Sequence, residues 1–163
     1  MEQAVVSGIA FNRDEAKVSL LGVPDRPGIA YAILGPVAEA NIDVDVIIQN
    51  IGHDGKTDFS FTVHRNDYQR TMELLKTVVM PSTGAEKLSG DAKICKVSIV
   101  GIGMRSHVGV ASKMFRSLSE EGINIQMITT SEIKTSVVID EKYMELAVRV
   151  LHTAYGLDAE EAA

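Results

Sequence analysis

The chain has 163 residues, of which 45% are hydrophobic and 23% charged, and its net charge is -6. This composition predicts packed globular domains and excludes general disorder. The acidic balance argues against a nucleic-acid-binding surface, and no apolar run approaches the ~20 residues of a membrane helix. The start of the chain lacks the pattern of a signal peptide, and the single cysteine, Cys95, excludes an internal disulfide. We therefore expect a cytoplasmic protein.

The sequence repeats itself at an interval of about 80 residues, which is the size of a small domain. Val-Ser-Leu-Leu-Gly at 18–22 resembles Val-Ser-Ile-Val-Gly at 97–101, and Gly-Ile-Ala at 28–30 resembles Gly-Val-Ala at 109–111. Two further pairs follow in the same order. The length differences between the copies fall in loops, where insertions cost little. The repeat predicts two copies of one fold.

In the first copy, the patterns predict a strand, a helix, two strands and a second helix, in that order. Alternation of apolar residues marks the strands, and spacing by three or four residues marks the helices. Asp54-Gly55 is typical of the hairpin between the two central strands, and Pro36 predicts a kink, a bulge or a change of register in the first helix. The pattern residues are Val18 and Leu20; Ile29, Ile33 and Val37; Val44, Val46 and Ile48; Phe59, Phe61 and Val63; and Tyr68, Met72, Leu75 and Val79.

The second copy repeats this order and ends with a helix marked by Met144, Ala147, Leu151 and Ala154. A short strand near residues 85–89 can close the first copy, but the second copy has no room for one. We expect the strand-like stretch 4–11 to complete the second copy; the alternative is an extra edge strand on the first. The predicted fold is α+β, with two tandem ferredoxin-like βαββαβ domains and antiparallel sheets. The expected domains are 16–90, and 1–15 together with 91–163.

Several kinds of catalytic and cofactor site find no support in the sequence. There is no phosphate-binding Gly-x-x-x-x-Gly-Lys-Ser/Thr loop, and the glycine pattern that begins at Gly101 has Ser106 where a dinucleotide site needs a third glycine. No histidine has a histidine or cysteine partner at metal-ligand spacing. We expect no metal, no cofactor and no catalytic residue, which favours a binding module. A small ferredoxin-like enzyme is the alternative of another class.

The most informative segment joins the first strand of the first copy to its first helix. Two prolines stiffen this loop, and Gly28 removes side-chain bulk at the helix start. Free N–H groups there can bind the carboxylate of an α-amino acid. Asp25, Asp43 or Asp45 would face its ammonium group, and Gln49 would face a side-chain hydroxyl or amine. The alternative is a simple helix-entry turn in which Asp25 is a capping residue.

The second copy has an equivalent but more polar loop, Met-Arg-Ser-His-Val-Gly-Val-Ala at 104–111. Arg105 and His107 either bind a carboxylate or are exposed loop residues. Because the two loops occupy equivalent places, they favour a pair of ligand sites.

Val-Pro-Asp-Arg-Pro-Gly at 23–28 resembles the signature loop of ACT domains. The stretch 104–111 and Ile-Thr-Thr-Ser-Glu-Ile-Lys at 128–134 resemble the second ACT domain of aspartokinases, although Val108 stands where relatives often carry proline. The opening 5–17 is similar to the aspartokinase segment that leads into the first ACT domain. The resemblance covers nearly the whole chain. Nothing here matches the Lys-Phe-Gly-Gly-type loop of the aspartokinase catalytic domain.

The resemblance implies a regulatory part that is not itself an enzyme. It would bind lysine, threonine or both, and inhibit the ATP-dependent aspartate kinase of lysine, threonine and methionine biosynthesis by feedback. A homodimer through the ACT domains and association with a catalytic subunit or domain are implied, as is an effector site between ACT domains. A regulator of another amino-acid enzyme is the alternative. The implied site residues are Asp25, Gly28, Ile29, Ala30 and Gln49 in the first copy; Asn124 and Ile125 as a contributed strand edge; and Met104, His107, Gly109, Val110 and Ala111 in the second loop.

Overall fold

The computed structural model describes residues 5–52 and 54–157, which fall into two compact units. The first unit is Asp14–Ala92, and the second unit consists of the described parts of Met1–Arg13 and Lys93–Ala163. Ala4 of the predicted N-terminal strand lies outside the described residues, as do 158–163. In chain order the elements are β1 (Val6–Pro24), α1 (Ile29–Glu39), β2 (Val44–Ile51), β3 (Lys56–His64), α2 (Tyr68–Leu74), α3 (Met80–Thr83), β4 (Lys87–Gly101), α4 (Val108–Glu120), β5 (Met127–Thr130), β6 (Lys134–Asp140) and α5 (Met144–Ala154).

The first unit has the strand order β2-β3-β1-β4, with β3 antiparallel to both β1 and β2. The backbone N–H of Glu86 donates to the carbonyl of Leu21 where β4 begins beside β1. Apolar residues of the strands point towards the helices, as the alternating pattern predicts. The resulting core contains Val18, Leu20, Ile29, Ile33, Val37, Phe59, Phe61, Val63, Leu75 and Val79.

Proline shapes both helices of the first unit. Pro36 lies inside α1, which continues to Glu39, and the proline lacks the N–H that would bond the carbonyl of Ala32. The second predicted helix is divided into α2, a π-helical turn at Leu75–Val79, and α3. Pro81 has no N–H to bond the carbonyl one turn earlier, and it stands at the start of α3, where that donor is not needed. The carbonyl of Val79 accepts from the hydroxyls of Ser82 and Thr83.

The second unit has the strand order β1-β4-β6-β5, with β6 antiparallel to β4 and β5. Its core also lies between sheet and helices, and it includes Val97, Ile99, Met114, Leu118, Val137, Ile139 and Leu151. Both units therefore have the mixed α+β architecture of ferredoxin-like domains, which confirms the predicted fold class.

β1 is one strand of 19 residues, whereas the sequence predicted two separate strands. Its polar middle lacks an alternating pattern, but neighbouring strands pair with it along its length. At its start, in the second unit, the carbonyl of Val5 accepts from the N–H of Ile102 at 3.1 Å. Gly101 is required at this crossing, because a Cβ atom there would lie 1.7 Å from the Val5 carbonyl oxygen.

Candidate functional site

The loop between β1 and α1 is anchored to the hairpin that joins β2 and β3. The backbone N–H of Asp25 donates to the carbonyl of Gly55 at 2.9 Å. Gly28 then precedes α1 with φ +88, a conformation that L side chains rarely adopt. Ile29 is buried beneath the loop, while the Asp25 side chain and Ala30 are exposed. The loop therefore has a fixed backbone and an open outer face.

The start of α1 offers backbone donors. Ile29 donates to the carbonyl of Arg26, and Ala32 makes the first helical bond to Gly28. No side chain in the described part of the chain caps this helix end. Among the described residues, the N–H groups of Gly28, Ala30 and Tyr31 have no acceptor with hydrogen-bond geometry. Such groups, together with the helix dipole, favour an anion at this position.

Gln49 lies at the same end of the sheet as this loop, and Asp43 does not. Gln49 is exposed on β2 opposite Phe59, which in turn lies opposite Leu20 on β1, shortly before the loop. Asp43 precedes the opposite end of β2, six residues from Gln49 in sequence, or about 20 Å along an extended chain. Asp25, Gly28, Ile29, Ala30 and Gln49 thus share one end of the sheet, and Asp43 lies at the other.

A cavity of about 630 Å³ opens beside the same hairpin in the first unit. Asp58 accepts a hydrogen bond from the backbone N–H of Gly22 at 3.0 Å, and Lys56 forms an ion pair with Glu86. The hydrogen bond and charge of Glu86 raise the pKa of Lys56. The sequence patterns did not single out these residues, because the loop after Gly22, the hairpin and Glu86 come together only in the fold.

The loop of the second unit begins with a short 3-10 turn, Met104–Ser106. Met104 is buried, and its N–H donates to the carbonyl of Glu132. The Nδ1 atom of His107 lies 2.8 Å from the carbonyl oxygen of Gly103. Because a carbonyl can only accept, this bond requires the proton on Nδ1 and orients the imidazole ring. His107 thus stabilises the turn in addition to any contact with a ligand.

The first turn of α4 has the same donors as that of α1. Val110 donates to the carbonyl of His107, while the N–H groups of Val108, Gly109 and Ala111 have no acceptor within the described ranges. Gly109 is exposed, and Val110 and Ala111 are half-buried. The sequence predicted this similarity but not Tyr155, whose hydroxyl donates to the carbonyl of Val110.

Asn124 and Ile125 belong to a separate surface of the second unit. They line a cavity of about 420 Å³ with Phe115, Ser119 and Gly122, at the C-terminal end of α4. The 13 residues of α4 place this cavity about 20 Å from the loop that precedes the helix. Asn124 and Ile125 therefore lie apart from the Met104–Ala111 loop of their own unit.

Two further properties concern the described residues as a whole. No group of three or more His, Cys, Asp or Glu side chains among them is arranged to hold a metal ion. None of the helices in the described ranges has the length and apolar character needed to cross a membrane.

Comparison with known proteins places each unit in a family. Residues 18–79 and residues 97–155 each match ACT domain families. Over 159 residues the chain is 64% identical to an aspartokinase of Pseudomonas aeruginosa, covering 98% of this chain and 38% of that protein. It is 52% identical over 158 residues to an aspartokinase of Helicobacter pylori, and the match covers 97% of this chain and 38% of that protein. The chain thus spans well under half of these relatives.

Solved structures agree with the sequence matches. A structure of aspartokinase alpha and beta subunits superposes with a TM-score of 0.87 at 64% identity, covering 93% of this chain and 99% of that one. The regulatory subunit of aspartate kinase from Thermus flavus superposes with a TM-score of 0.86 at 41% identity, also covering 93% and 99%. The chain therefore belongs to the aspartokinase family, of which it represents the regulatory part with its two ACT domains.

Proposed function

We propose that the chain binds lysine, threonine or both at the start of α1, and thereby controls an aspartokinase catalytic region by feedback. The observation that carries this proposal is the fixed, open loop with the unpaired N–H groups of Gly28, Ala30 and Tyr31. An α-carboxylate bound there would place its ammonium group within reach of the exposed Asp25 carboxylate. The effector would be held by its backbone groups, which all amino acids share.

Selectivity for one amino acid then depends on Gln49. Its amide is exposed at the same end of the sheet, and it can both donate and accept a hydrogen bond. A hydroxyl or an amine on the effector side chain is a suitable partner for it, which favours threonine or lysine over an aliphatic amino acid. Ala30 leaves room above the first turn of the helix.

The second loop is a further part of the proposal. The start of α4 also presents three free backbone donors, of which those of Gly109 and Ala111 correspond to Gly28 and Ala30, and His107 is oriented beside them. We therefore assign a second amino-acid site to Met104, His107, Gly109, Val110 and Ala111. The proposed ACT domains are 16–90, and 1–15 with 91–163.

We further propose that the chain forms a homodimer through its sheet edges. β2 is an edge strand of the first unit and exposes Ile47 and Ile51, and β5 is an edge strand of the second unit and exposes Ile128. Unpaired edges with apolar side chains tend to pair with another chain. In such a dimer, Asn124 and Ile125 of one chain would complete the site at Gln49 of its partner.

In the complete enzyme, the effector would act through differential affinity. An amino acid that binds one dimer arrangement more tightly shifts the population towards it, and the catalytic region responds to the arrangement that it contacts. The catalysed reaction would be the ATP-dependent phosphorylation of aspartate. A cytoplasmic location is part of this proposal, supported by the single thiol of Cys95, which is buried.

Titration calorimetry with lysine, threonine and the other common amino acids tests the proposal. Gln49→Ala and Ala30→Leu should each weaken binding about tenfold, corresponding to the loss of roughly one hydrogen bond or of space for the ligand. Gln69→Ala and Ala38→Leu are matched controls, since both residues are exposed on the helices of the same unit. Unchanged affinity in both site variants would remove this loop from consideration.

A further inference from the structure

The side chain of Tyr155 connects the end of α5 to the start of α4 in the second unit. Tyr155 follows the last residue of α5, and its hydroxyl donates to the carbonyl of Val110 at 2.5 Å. The ammonium group of Lys113 lies 5.2 Å from the centre of its ring. The two helices pack against each other, so the contact joins elements that already form part of one core.

The carbonyl that Tyr155 binds belongs to the first turn of α4. The N–H groups of Val108, Gly109 and Ala111, which have no acceptor among the described residues, are in the same turn. A helix end frays more readily than its centre, because its first donors have no helical partners. A phenol fixed at the end of another helix limits this motion and holds the free donors in one orientation.

The hydroxyl of Tyr155 keeps its proton, and so remains a hydrogen-bond donor, over the physiological pH range. Burial raises the pKa of Tyr155 to about 12, although a hydrogen bond from the backbone of Met114 acts in the opposite direction. The neutral phenol keeps its proton for the Val110 carbonyl, and the Lys113 ammonium interacts with the face of the ring rather than with the oxygen. The contact therefore behaves as a permanent clamp and not as a pH switch near neutrality.

Among the described residues of the first unit, no side chain makes an equivalent contact. The helix that corresponds to α5 begins at Tyr68, as α5 begins at Met144. Counted from these two starts, the residue that corresponds to Tyr155 is Val79, which is apolar and fully buried. Each loop is tied to its own hairpin by a backbone hydrogen bond, from Asp25 to Gly55 in the first unit and from Met104 to Glu132 in the second. The two loops are thus similar in their free donors and in this bond, and they differ in the additional contact of Tyr155.

From this difference we infer that Tyr155 is a positioning residue for the amino-acid site of the second unit alone. It holds the first turn of α4 through the Val110 carbonyl, so that the N–H groups of that turn are preorganised for a carboxylate. The inference rests on the proposed function, since it assigns a role within the second of the two proposed sites. It predicts that the affinities of the two sites can be changed independently.

Calorimetric titration of the full chain with threonine and with lysine tests this role. Asp25→Ala is used to weaken the site of the first unit, so that the second site is observed separately. In this background Tyr155→Phe, which keeps the ring and its contact with Lys113, should reduce affinity roughly five- to tenfold, as expected for the loss of one hydrogen bond. In a chain with Asp25 intact, Tyr155→Phe should leave the affinity of the first site within about twofold.

Tyr143→Phe is the matched control, because Tyr143 also lies under a lysine ammonium, at 5.1 Å, and belongs to the same unit. The inference would be overturned if Tyr155→Phe left the affinity of the second site unchanged, or if Tyr143→Phe reduced that affinity equally. It would also be overturned if Tyr155→Phe reduced the affinity of both sites equally. If Asp25→Ala removes all binding, the second site and its clamp are disproved while the first site stands. If the unmodified chain binds neither amino acid, the proposed function fails as well.

Discussion

The backbone N–H of Asp25 donates to the carbonyl of Gly55, 2.9 Å away, and thereby ties the loop before α1 to the tip of the β2–β3 hairpin. The two residues are 30 positions apart in sequence. The bond uses only backbone atoms, so the Asp25 carboxylate stays exposed. A substitution of the Asp25 side chain can therefore change the chemistry of the loop without removing the bond that positions it. The conformation of the loop depends strongly on Gly28.

Gly28→Ala should destabilise the first unit by about 1–2 kcal/mol, because φ is +88 and the left-handed region is unfavourable for alanine. No atom lies within 4 Å of the added Cβ, so backbone strain is the only expected cause. Gly109→Ala is the matched control: it lies within α4 and should stabilise by up to about 1 kcal/mol. Urea unfolding measures both. Equal effects in the two variants would contradict the backbone explanation.

Thr135→Val should stabilise the second unit by roughly 1 kcal/mol. The Thr135 side chain is fully buried, and its hydroxyl has no hydrogen-bond partner among the described residues. Replacing an unsatisfied hydroxyl by a methyl group removes a desolvation cost. Ser136→Ala should instead destabilise the unit. The Ser136 hydroxyl is hydrogen-bonded to that of Ser98 at 2.6 Å, and its removal leaves the Ser98 hydroxyl without this partner. Thermal unfolding should give shifts of opposite sign; a lower melting temperature for Thr135→Val would disprove the argument.

Above pH 10 the stability of the chain should fall, partly through Tyr155. The ordinary tyrosine pKa is about 10, and burial raises that of Tyr155 to about 12 in the folded state. Between these values the folded chain holds the proton that the unfolded chain releases, so stability decreases as pH rises, and the full contribution is present below pH 10. Urea midpoints at several pH values should fall less steeply for Tyr155→Phe than for the unmodified chain. Parallel curves would exclude this contribution.

The ammonium of Lys113 lies 5.2 Å from the centre of the Tyr155 ring, so its contribution needs its own control. Lys113→Met removes the cation and keeps much of the side-chain volume. Because burial is the main cause of the raised pKa, the steeper fall above pH 10 should persist in this variant. Its disappearance would assign the effect to the lysine.

Ile51→Lys should weaken self-association at least tenfold, if β2 is the edge through which the chain dimerises. Ile51 is 73% exposed on that edge strand, so the substitution should not affect the core. Val78→Lys is the control, because Val78 is also exposed but lies in the helical layer of the same unit. Sedimentation measures the effect, with and without threonine. A dimer of unchanged strength in Ile51→Lys would show that β2 is not the interface.

Local patterns in the sequence were sufficient for the architecture of each unit. The period of Val18 and Leu20, or of Ile29, Ile33 and Val37, reflects the geometry of a single element, and the repeat shows that the same order occurs twice. The loop motifs at 23–28 and 104–111 were equally accessible, because Gly28 and its neighbours meet a local backbone requirement. Helix starts with free N–H groups follow from these motifs alone.

Only the tertiary structure decided which distant residues meet. The pairing of β2 with β3, and of β3 with β1, brings Gln49 to the end of the sheet that carries the loop and leaves Asp43 at the other end. Tyr155 reaches Val110 across 45 positions of sequence. The continuity of β1 also depends on strands that pair with its polar middle, and the division of the second helix depends on Pro81. Such contacts arise when whole elements pack against each other, and the local spacing of apolar residues carries no information about them. The elements could therefore be predicted from the sequence, whereas their alignment could not.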